Sequence, residues 1–287
     1  ELPDDVLVHP THGAGSFCVA GEIDIGGQAT IGALKRWNPA FAAPDLETFD
    51  AELAAGRTLY PTYYRRMAPI NRRGPRPLDG PLAPRAMTTE HFVEARAAGA
   101  WVLDARDRWA FAELHLEGSW NIEAGDAFAA YAGWLLPFDA PIALIVDSPE
   151  QEVDVRDELI RIGFDHVLGH LAGGMDAWLA VGGATSSFGT ASWEELRTPG
   201  EERVLDVRQP YEWRAGVIPG SARVFVADLP AALADLDPAV RYLVACRTGV
   251  RAAIAASLMD AAGFTVRPVV DGGVPALPSE ELENWSD

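Results

Sequence analysis

The sequence is poor in cysteine, in lysine and in long apolar runs. Its 287 residues include two cysteines, Cys18 and Cys246, and a single lysine, Lys35. Two cysteines do not form a disulfide framework, so we expect a reducing compartment, the cytoplasm. No run of 18 or more apolar residues occurs, and the sequence therefore predicts no membrane-spanning helix.

Positive charge is also scarce. The formal net charge is −19, which argues against nucleic acid and anionic membrane surfaces as partners. Hydrophobic residues make up 48% of the chain, enough to bury ordinary cores. This length and composition predict a globular protein of two or three domains.

An internal repeat organises most of the chain. Val102-Leu103-Asp104-Ala105-Arg106 recurs as Val204-Leu205-Asp206-Val207-Arg208, and Gly118-Ser119 recurs as Gly220-Ser221. Gly173-Gly174 recurs as Gly272-Gly273. Two copies of one domain of roughly 100 residues explain these matches.

Strand and helix signals alternate within each copy. In the second copy we expect strands at 204–207 and 242–245 and a helix at 251–262 that Gly263 closes. Such alternation predicts an α/β fold, a doubly wound parallel sheet with helices on both faces. Ligands of such sheets bind at the carboxyl ends of the strands, where Cys246 falls.

The stretch Cys246-Arg247-Thr248-Gly249-Val250-Arg251 carries the strongest chemical signal. It follows an apolar run and precedes an alanine-rich helical run, so the cysteine lies where a strand leads into a helix. Backbone N–H groups at the start of a helix, together with the guanidinium groups of Arg247 and Arg251, favour a thiolate over a thiol. A lone cysteine in an apolar strand is commonly inert core, but the glycine and the closing arginine favour a reactive Cys246.

This segment resembles the active loop of the rhodanese family of sulfurtransferases, Cys-X-X-Gly-X-Arg. Three further stretches are similar to that family: Val204 to Arg208 followed by Glu212, Gly216-Val217-Ile218-Pro219-Gly220-Ser221, and Val270-Asp271-Gly272-Gly273. Val217 departs from the histidine usual there. The resemblance implies two doubly wound rhodanese-like domains and a sulfur-transfer reaction that needs no cofactor.

The same resemblance implies roles for the loop residues. Cys246 would be the nucleophile, Arg247 and Arg251 would attract an anionic donor, and the loop amides of Thr248, Gly249, Val250 and Arg251 would hold the persulfide. Asp206, Arg208 and Glu212 would position the fold around the loop. Cysteine phosphatases place five residues between Cys and Arg, whereas this loop has four, which favours sulfur over phosphate chemistry.

The first copy lacks this loop. Aligning its strand residues 144–146 with 243–245 places Asp147 at the Cys246 position, and Ser148 to Glu152 replace the glycine- and arginine-bearing segment. A carboxylate cannot accept sulfane sulfur. We therefore expect the first copy to be an inactive scaffold or interface, with His115 structural and Ser148 a poor candidate nucleophile.

Residues 1–72 belong to neither copy. Val6 to Ser16, with His9, His12 and a glycine-rich turn, resembles the last metal-site strand of the metallo-β-lactamase fold, in its glyoxalase II-like and persulfide dioxygenase-like branch. That likeness implies a C-terminal portion of such a domain, with most of a zinc or iron site upstream and His12 as a candidate ligand. One histidine cannot hold a catalytic ion, and Cys18 is interpreted as a packed residue.

The organisation expected is therefore a metallo-β-lactamase-like portion at 1–72, a proline-rich linker at 73–86, an inactive rhodanese-like domain at 87–186 and an active one at 187–287. Small sulfur donors and thiol acceptors are the expected partners, beside the upstream metallo-β-lactamase portion. Two other functions stay open, a persulfide dioxygenase with an upstream metal domain and a non-catalytic regulatory module. The sequence also leaves the oligomeric state open, a homodimer included.

Overall fold

The computed structural model describes residues 2–9, 29–37, 43–55, 59–78 and 80–285, and the chain divides after Tyr60 into two compact units. In the first unit, strands β1 (Leu7–Val8) and β2 (Ala29–Thr30) pair antiparallel. Helices α1 (Ile31–Trp37) and α2 (Leu46–Ala55) come next. The Thr30 hydroxyl accepts a hydrogen bond from the Ala33 N–H at the start of α1.

The second unit begins with α3 (Tyr64–Arg73) and then holds the first repeat copy. The strands of this copy are β3 (Ala86–Met87), β4 (Trp101–Asp104), β5 (His115–Leu116), β6 (Trp120–Asn121), β7 (Ile142–Ile145), β8 (Val167–Leu171) and β9 (Thr185–Ser186). Its helices are α4 (Thr89–Ala97), α5 (Arg108–Glu113), α6 (Phe128–Leu135), α7 (Pro149–Arg161) and α8 (Gly174–Ala180). The central sheet is parallel, in the order β3-β8-β7-β4-β6, and β5 pairs antiparallel with β9.

The second copy repeats this plan. Its strands are β10 (Arg203–Asp206), β11 (Ala222–Arg223), β12 (Tyr242–Ala245) and β13 (Val266–Pro268), and its helices are α9 (Pro210–Trp213), α10 (Leu229–Ala232) and α11 (Val250–Ala261). Short 3-10 helices lie at Trp193–Arg197, Leu233–Asp235, Val274–Ala276 and Ser279–Glu281. The parallel sheet has the order β11-β10-β12-β13, and a parallel bridge from Ala191 to Val269 extends it where β3 extends the first sheet.

Both sheets are buried on both faces, as parallel sheets require. Alternate residues of each strand enter different cores: Leu103 and Leu144 lie in one apolar cluster, while Val102 and Ala143 lie in another. The predicted α/β fold with parallel sheets is confirmed, and the predicted strand at 242–245 has those bounds.

The two copies share one of these apolar clusters. Leu103 and Phe128 of the first copy belong to the same buried cluster as Leu205 and Val244 of the second. Trp134 of α6 also meets Phe225 edge to face, with ring centroids 5.4 Å apart. The copies therefore pack through a common core face.

The segment before the first copy packs on that copy. Residues 61–72, which the sequence groups with the N-terminal portion, lie in the second compact unit by their contacts. The Thr62 hydroxyl donates to the Gly133 carbonyl at 2.7 Å, and the Arg66 guanidinium lies over the Phe138 ring at 4.2 Å. These contacts tie α3 to the first copy, so the contact boundary falls after Tyr60.

Candidate active site

Cys246 is the first residue after β12 and lies at the amino end of α11. Gly249, with φ of 93°, is the N-cap of α11, and its N–H donates to Cys246 Sγ at 3.1 Å. The side chain of Cys246 is fully buried. The positive end of the helix dipole and an amide donor therefore both face the sulfur.

Two glycines let the neighbouring backbone approach this loop closely. A Cβ on Gly249 would overlap the carbonyl of Val270, and a Cβ on Gly273 would overlap the carbonyl of Cys246. The Val274 N–H then donates to that Cys246 carbonyl at 2.9 Å. The Gly-Gly segment therefore packs directly against the cysteine loop and holds it in place.

Arg251 closes the loop through a two-pronged ion pair with Glu212. Its Nη2 donates to Glu212 Oε1 at 2.9 Å and its Nη1 donates to Oε2, and both side chains are about one-tenth exposed. The Gln209 N–H also donates to Glu212 Oε2 at 2.9 Å. The charge of Arg251 is thus matched within the fold, and the pair joins α11 to α9.

Burial shapes the ionisation of both partners. Burial raises the pKa of Glu212, but the hydrogen bonds and positive charge of Arg251, the Gln209 N–H and the charge of Arg208 together outweigh it and hold that pKa below its ordinary value. Burial likewise opposes the charge of Arg251, and hydrogen bonding to Glu212 raises its pKa above the ordinary value. Both groups are therefore charged at neutral pH.

Asp206 and Arg208 form a second, fully internal ion pair. Arg208 Nη2 donates to Asp206 Oδ2 at 2.6 Å and to the Gly216 carbonyl at 2.8 Å. The first copy repeats this arrangement, where Arg106 Nη2 donates to Asp104 Oδ2 at 2.7 Å and to the Leu114 carbonyl at 2.9 Å. In each copy this pair fixes the segment that follows the strand. The hydrogen bonds of the two pairs do not involve Cys246.

Arg247 and Thr248 are the exposed members of the loop, and Val250 is half-buried. Among the described residues, Arg247 makes no hydrogen bond or ion pair, whereas Arg251 is held by Glu212. The sequence predicts that Arg247 and Arg251 attract an anionic donor. Of these two, Arg247 is the one whose charge has no ion-pair partner among the described residues. The structure brings all six loop residues and Glu212 together at one end of β12.

The first copy also reaches this site, a contribution that was not predicted from the sequence. Arg108 of α5 donates from Nη1 to the Thr248 carbonyl at 3.2 Å. Tyr131 of α6 lies close enough to Arg251 and Cys246 for their charges to affect its ionisation. No sequence motif marks either residue, because each is brought to the loop by packing between the copies.

Tyr131 keeps its proton over a wide pH range. Burial raises the pKa of its phenol to about 12, with Arg251 opposing the rise and Cys246 adding to it. Its O–H is therefore a neutral group beside the reactive loop at physiological pH.

Strand pairing shows that the sequence alignment of the two copies is displaced by one residue at this loop. Ile145 pairs with Asp104 as Ala245 pairs with Asp206, so the next residue, Val146, stands where Cys246 stands. The alignment had placed Asp147 there, because the connection to the next helix is one residue shorter in the first copy. Ser148 caps α7 by accepting the Gln151 N–H at 3.2 Å. A buried valine side chain offers no nucleophile.

His115 of the first copy contacts α11 near its carboxyl end, away from the cysteine loop at the start of that helix. His115 is fully buried, with Nδ1 2.7 Å from the Phe111 carbonyl and Nε2 3.1 Å from Asp260 Oδ2, so it joins the first copy to α11. His12 and Cys18 lie outside the described residues. His9, at the end of β1, is exposed.

The part of the chain that the structure describes offers no metal site of its own. Within it, no group of three or more His, Cys, Asp or Glu side chains has the geometry to hold a metal ion. A zinc or iron site of the kind that the N-terminal likeness implies would therefore need further ligands from other residues. Over the same described residues, no helix combines the length and apolarity needed to span a membrane.

The comparisons with known proteins agree with the repeat. The family model of the rhodanese-like domain matches residues 88–181 and 191–279, more than half of the chain. The protein YtwF of Bacillus subtilis (strain 168), provisionally named a sulfurtransferase, is 32% identical over 88 residues, a match that covers 30% of this chain and 84% of YtwF.

Two solved structures match with TM-scores below 0.5. A metallo-beta-lactamase structure from Staphylococcus aureus subsp. aureus COL is 29% identical with a TM-score of 0.49, and the match covers 59% of this chain and 46% of that protein. The Alr3790 protein from Anabaena sp. is 26% identical with a TM-score of 0.32, and the match covers 36% of this chain and 82% of that structure. This chain therefore spans less than half of the Staphylococcus protein.

Proposed function

Because this chain belongs to the rhodanese-like domain family, of which it contains two domains, we propose that it transfers sulfane sulfur through a persulfide on Cys246. Family membership and the sulfurtransferase name of the Bacillus relative support sulfur transfer in general. The observation that carries the proposal is the position of Cys246 Sγ, which receives the Gly249 N–H at the start of α11. That arrangement stabilises a thiolate and, after reaction, an anionic persulfide.

The first half of the reaction loads the enzyme. The Cys246 thiolate attacks the outer sulfur of thiosulfate, or of a persulfide or polysulfide donor. A new S–S bond forms to Cys246, the bond within the donor breaks, and sulfite or a thiolate leaves with the electron pair. Arg247, exposed and without an ion-pair partner among the described residues, is suited to attract the anionic donor.

The second half of the reaction removes the sulfur from Cys246. An acceptor thiolate or cyanide attacks the outer sulfur of the Cys246 persulfide, and the Cys246 thiolate departs with the electron pair of the broken S–S bond. No redox cofactor takes part, because sulfur moves as a neutral atom between nucleophiles. The small sulfur donors and thiol acceptors are thus the proposed partners of the second rhodanese-like domain, residues 187–287.

Residues 1–72 motivate a second, coupled function. Their sequence likeness to persulfide dioxygenase-like proteins of the metallo-β-lactamase fold leads us to propose that they end such a domain, with a metal site formed mainly upstream. Cys246 would then supply or remove sulfur for that domain. Metal content and oxygen consumption of a chain that includes the upstream portion would test this coupling, and their absence there would leave sulfur transfer alone.

Intact mass is the direct test of the persulfide. The chain and its Cys246→Ser variant are each incubated with thiosulfate, and the expected gain of about one sulfur atom in the chain disappears on addition of cyanide. The variant should show no gain, and a Cys18→Ser control should load like the unmodified chain. A gain retained in Cys246→Ser would refute the assignment, and no gain with thiosulfate or glutathione persulfide would favour a regulatory module.

A further inference from the structure

We propose that Arg108, from the copy without a cysteine, is a positioning residue for the thiolate of Cys246 in the other copy. Its guanidinium donates to the Thr248 carbonyl at 3.2 Å. That carbonyl belongs to the same peptide unit as the Gly249 N–H, which donates to Cys246 Sγ at 3.1 Å. One peptide group therefore connects Arg108 to the reactive sulfur.

The geometry of a peptide group makes this connection effective. The group is planar, and in the trans form its C=O and N–H point in opposite directions. A hydrogen bond to the oxygen therefore fixes the direction of the N–H on the other side. A donor with a full positive charge also polarises the peptide group, which strengthens the hydrogen bond that its N–H donates.

Arg108 is itself held in place. Its Nε donates to Glu123 Oε2 at 2.7 Å, and its Nη2 lies 3.4 Å from Glu123 Oε1. The guanidinium also lies 5.0 Å from the centre of the Trp109 ring. The Arg108 side chain is about one-tenth exposed, so Glu123 leaves Nη1 aimed at the loop carbonyl.

The assignment gives the first copy a chemical role beyond packing. Val146 replaces the cysteine in that copy, yet the copy supplies a cation at the outer side of the active loop of its partner domain. Glu123 anchors this cation at the carboxyl end of the first sheet, two residues after β6. This inference rests on the proposed function only in taking Cys246 as the reacting residue.

The test measures the rate of Cys246 alkylation by iodoacetamide against pH, with the modified peptide identified by mass. In Arg108→Met we expect the profile to move to higher pH and the rate at pH 7 to fall about threefold to tenfold, the net effect of one ordinary hydrogen bond, because the lost contact acts on the sulfur only through the peptide group. Arg108→Lys should give a smaller shift, because one ammonium group cannot reproduce the planar fork. Alkylation needs no sulfur donor, so the result is independent of whether thiosulfate is the substrate.

Two controls separate positioning from stability. Arg161→Met removes an exposed arginine that pairs with Asp157 in the first copy, and should leave the profile unchanged. Arg96→Met, which removes an arginine that donates to the Glu117 carbonyl within the first copy, should also leave it unchanged. If Arg108→Met and Arg108→Lys are folded by circular dichroism and both profiles coincide with that of the unmodified chain, the assignment is wrong. A lower melting temperature without a shift of the profile would equally overturn it.

Discussion

At the cysteine loop, glycine is required by space as much as by backbone conformation. Gly273 has φ of 166°, which any residue adopts, yet a Cβ there would overlap the Cys246 carbonyl. Gly249 meets both demands, because its φ is 93° and a Cβ there would overlap the Val270 carbonyl. The two residues therefore hold the loop by different means.

Replacing Gly273 with alanine tests the steric demand. Forcing a methyl group against the Cys246 carbonyl should destabilise the fold by about 1–3 kcal/mol and displace the loop, so that sulfur loading falls sharply. Thermal unfolding and intact mass after thiosulfate measure the two effects. Gly220→Ala is the control: with φ of 70° and open space around it, it should cost about 1–2 kcal/mol and leave loading unchanged. Normal loading of Gly273→Ala would contradict this account.

The Glu212 and Arg251 pair gives the fold a defined acid dependence. The pKa of Glu212 is lowered in the folded state, where burial is outweighed by the combined hydrogen bonds and charges of Arg251, Gln209 and Arg208. Folding therefore favours the ionised carboxylate. The contribution to stability is complete above the ordinary value of 4.5 and is lost as pH falls through the lower folded-state value.

We expect Glu212→Gln to lower the free energy of unfolding by about 3–5 kcal/mol at pH 7, because Arg251 stays buried without its counter-charge. The difference from the unmodified chain should narrow as pH falls below 4.5, the ordinary Glu value. Urea unfolding at a series of pH values from 7 to 3 measures it. Glu281→Gln, which removes the partner of the half-exposed Arg197, should have a much smaller effect, because solvent screens that pair. A constant difference across this range would rule out the pair as its source.

Among the elements, α11 both begins at the reactive loop and packs against the first copy. Ser257 in this helix accepts the Asn121 N–H of β6 at 2.9 Å, and its own O–H donates to the Ile254 carbonyl. One turn farther on, Asp260 meets His115 and accepts the Ser186 hydroxyl at 3.1 Å. The helix that carries the loop is therefore fixed at its far end by polar contacts from the other copy.

Ser257→Ala should loosen this attachment. It leaves the buried Asn121 N–H without its acceptor, at a cost of about 1–3 kcal/mol, and amide exchange of the peptide containing β6 should accelerate. Hydrogen exchange by mass spectrometry measures the change. Ser221→Ala is a matched control, because its O–H only donates to the Ile218 carbonyl, which the Ser221 N–H already contacts. Equal effects of the two variants would show that the Asn121 contact contributes nothing.

Local sequence signals predicted the bounds of strands and helices more accurately than they predicted the alignment of the two copies. The strand at 242–245 was placed correctly because its four apolar residues lie between an arginine and the cysteine loop, and the expected helix at 251–262 begins one residue earlier, at Val250. The first-copy alignment was displaced by one residue because its loop is shorter, and only the pairing of Ile145 with Asp104 reveals it. A one-residue displacement is invisible in a strand buried on both faces, where every position is apolar.

The cysteine loop itself was readable because its chemistry lies in six consecutive residues. The contact of Arg108 with Thr248 joins residues 140 positions apart and depends on how the copies pack. Repeats reveal equivalent positions within each copy, but they carry no information on which faces of the copies meet. The contribution of the first copy to the site therefore required the structure.

On the scale of the whole molecule, the two copies share one apolar core. Apolar residues of both sheets join in one buried cluster, which includes the Trp134 and Phe225 contact at its edge. Each copy alone would expose that face to water, and exposed apolar surface of this kind lowers stability in proportion to its area. Residues 61–287 should consequently unfold in a single transition.

Separating the copies tests this coupling and the role of the first copy together. A fragment of residues 187–287 should bind a hydrophobic dye, unfold at lower urea than the fragment 61–287, and alkylate Cys246 with a profile moved to higher pH, because both the shared core and Arg108 are removed. Adding Arg108→Met to the fragment 61–287 should reproduce the shift in profile while leaving dye binding low, since the core stays covered. A fragment 187–287 with the urea midpoint of the longer fragment would show instead that the second copy is stable without its neighbour.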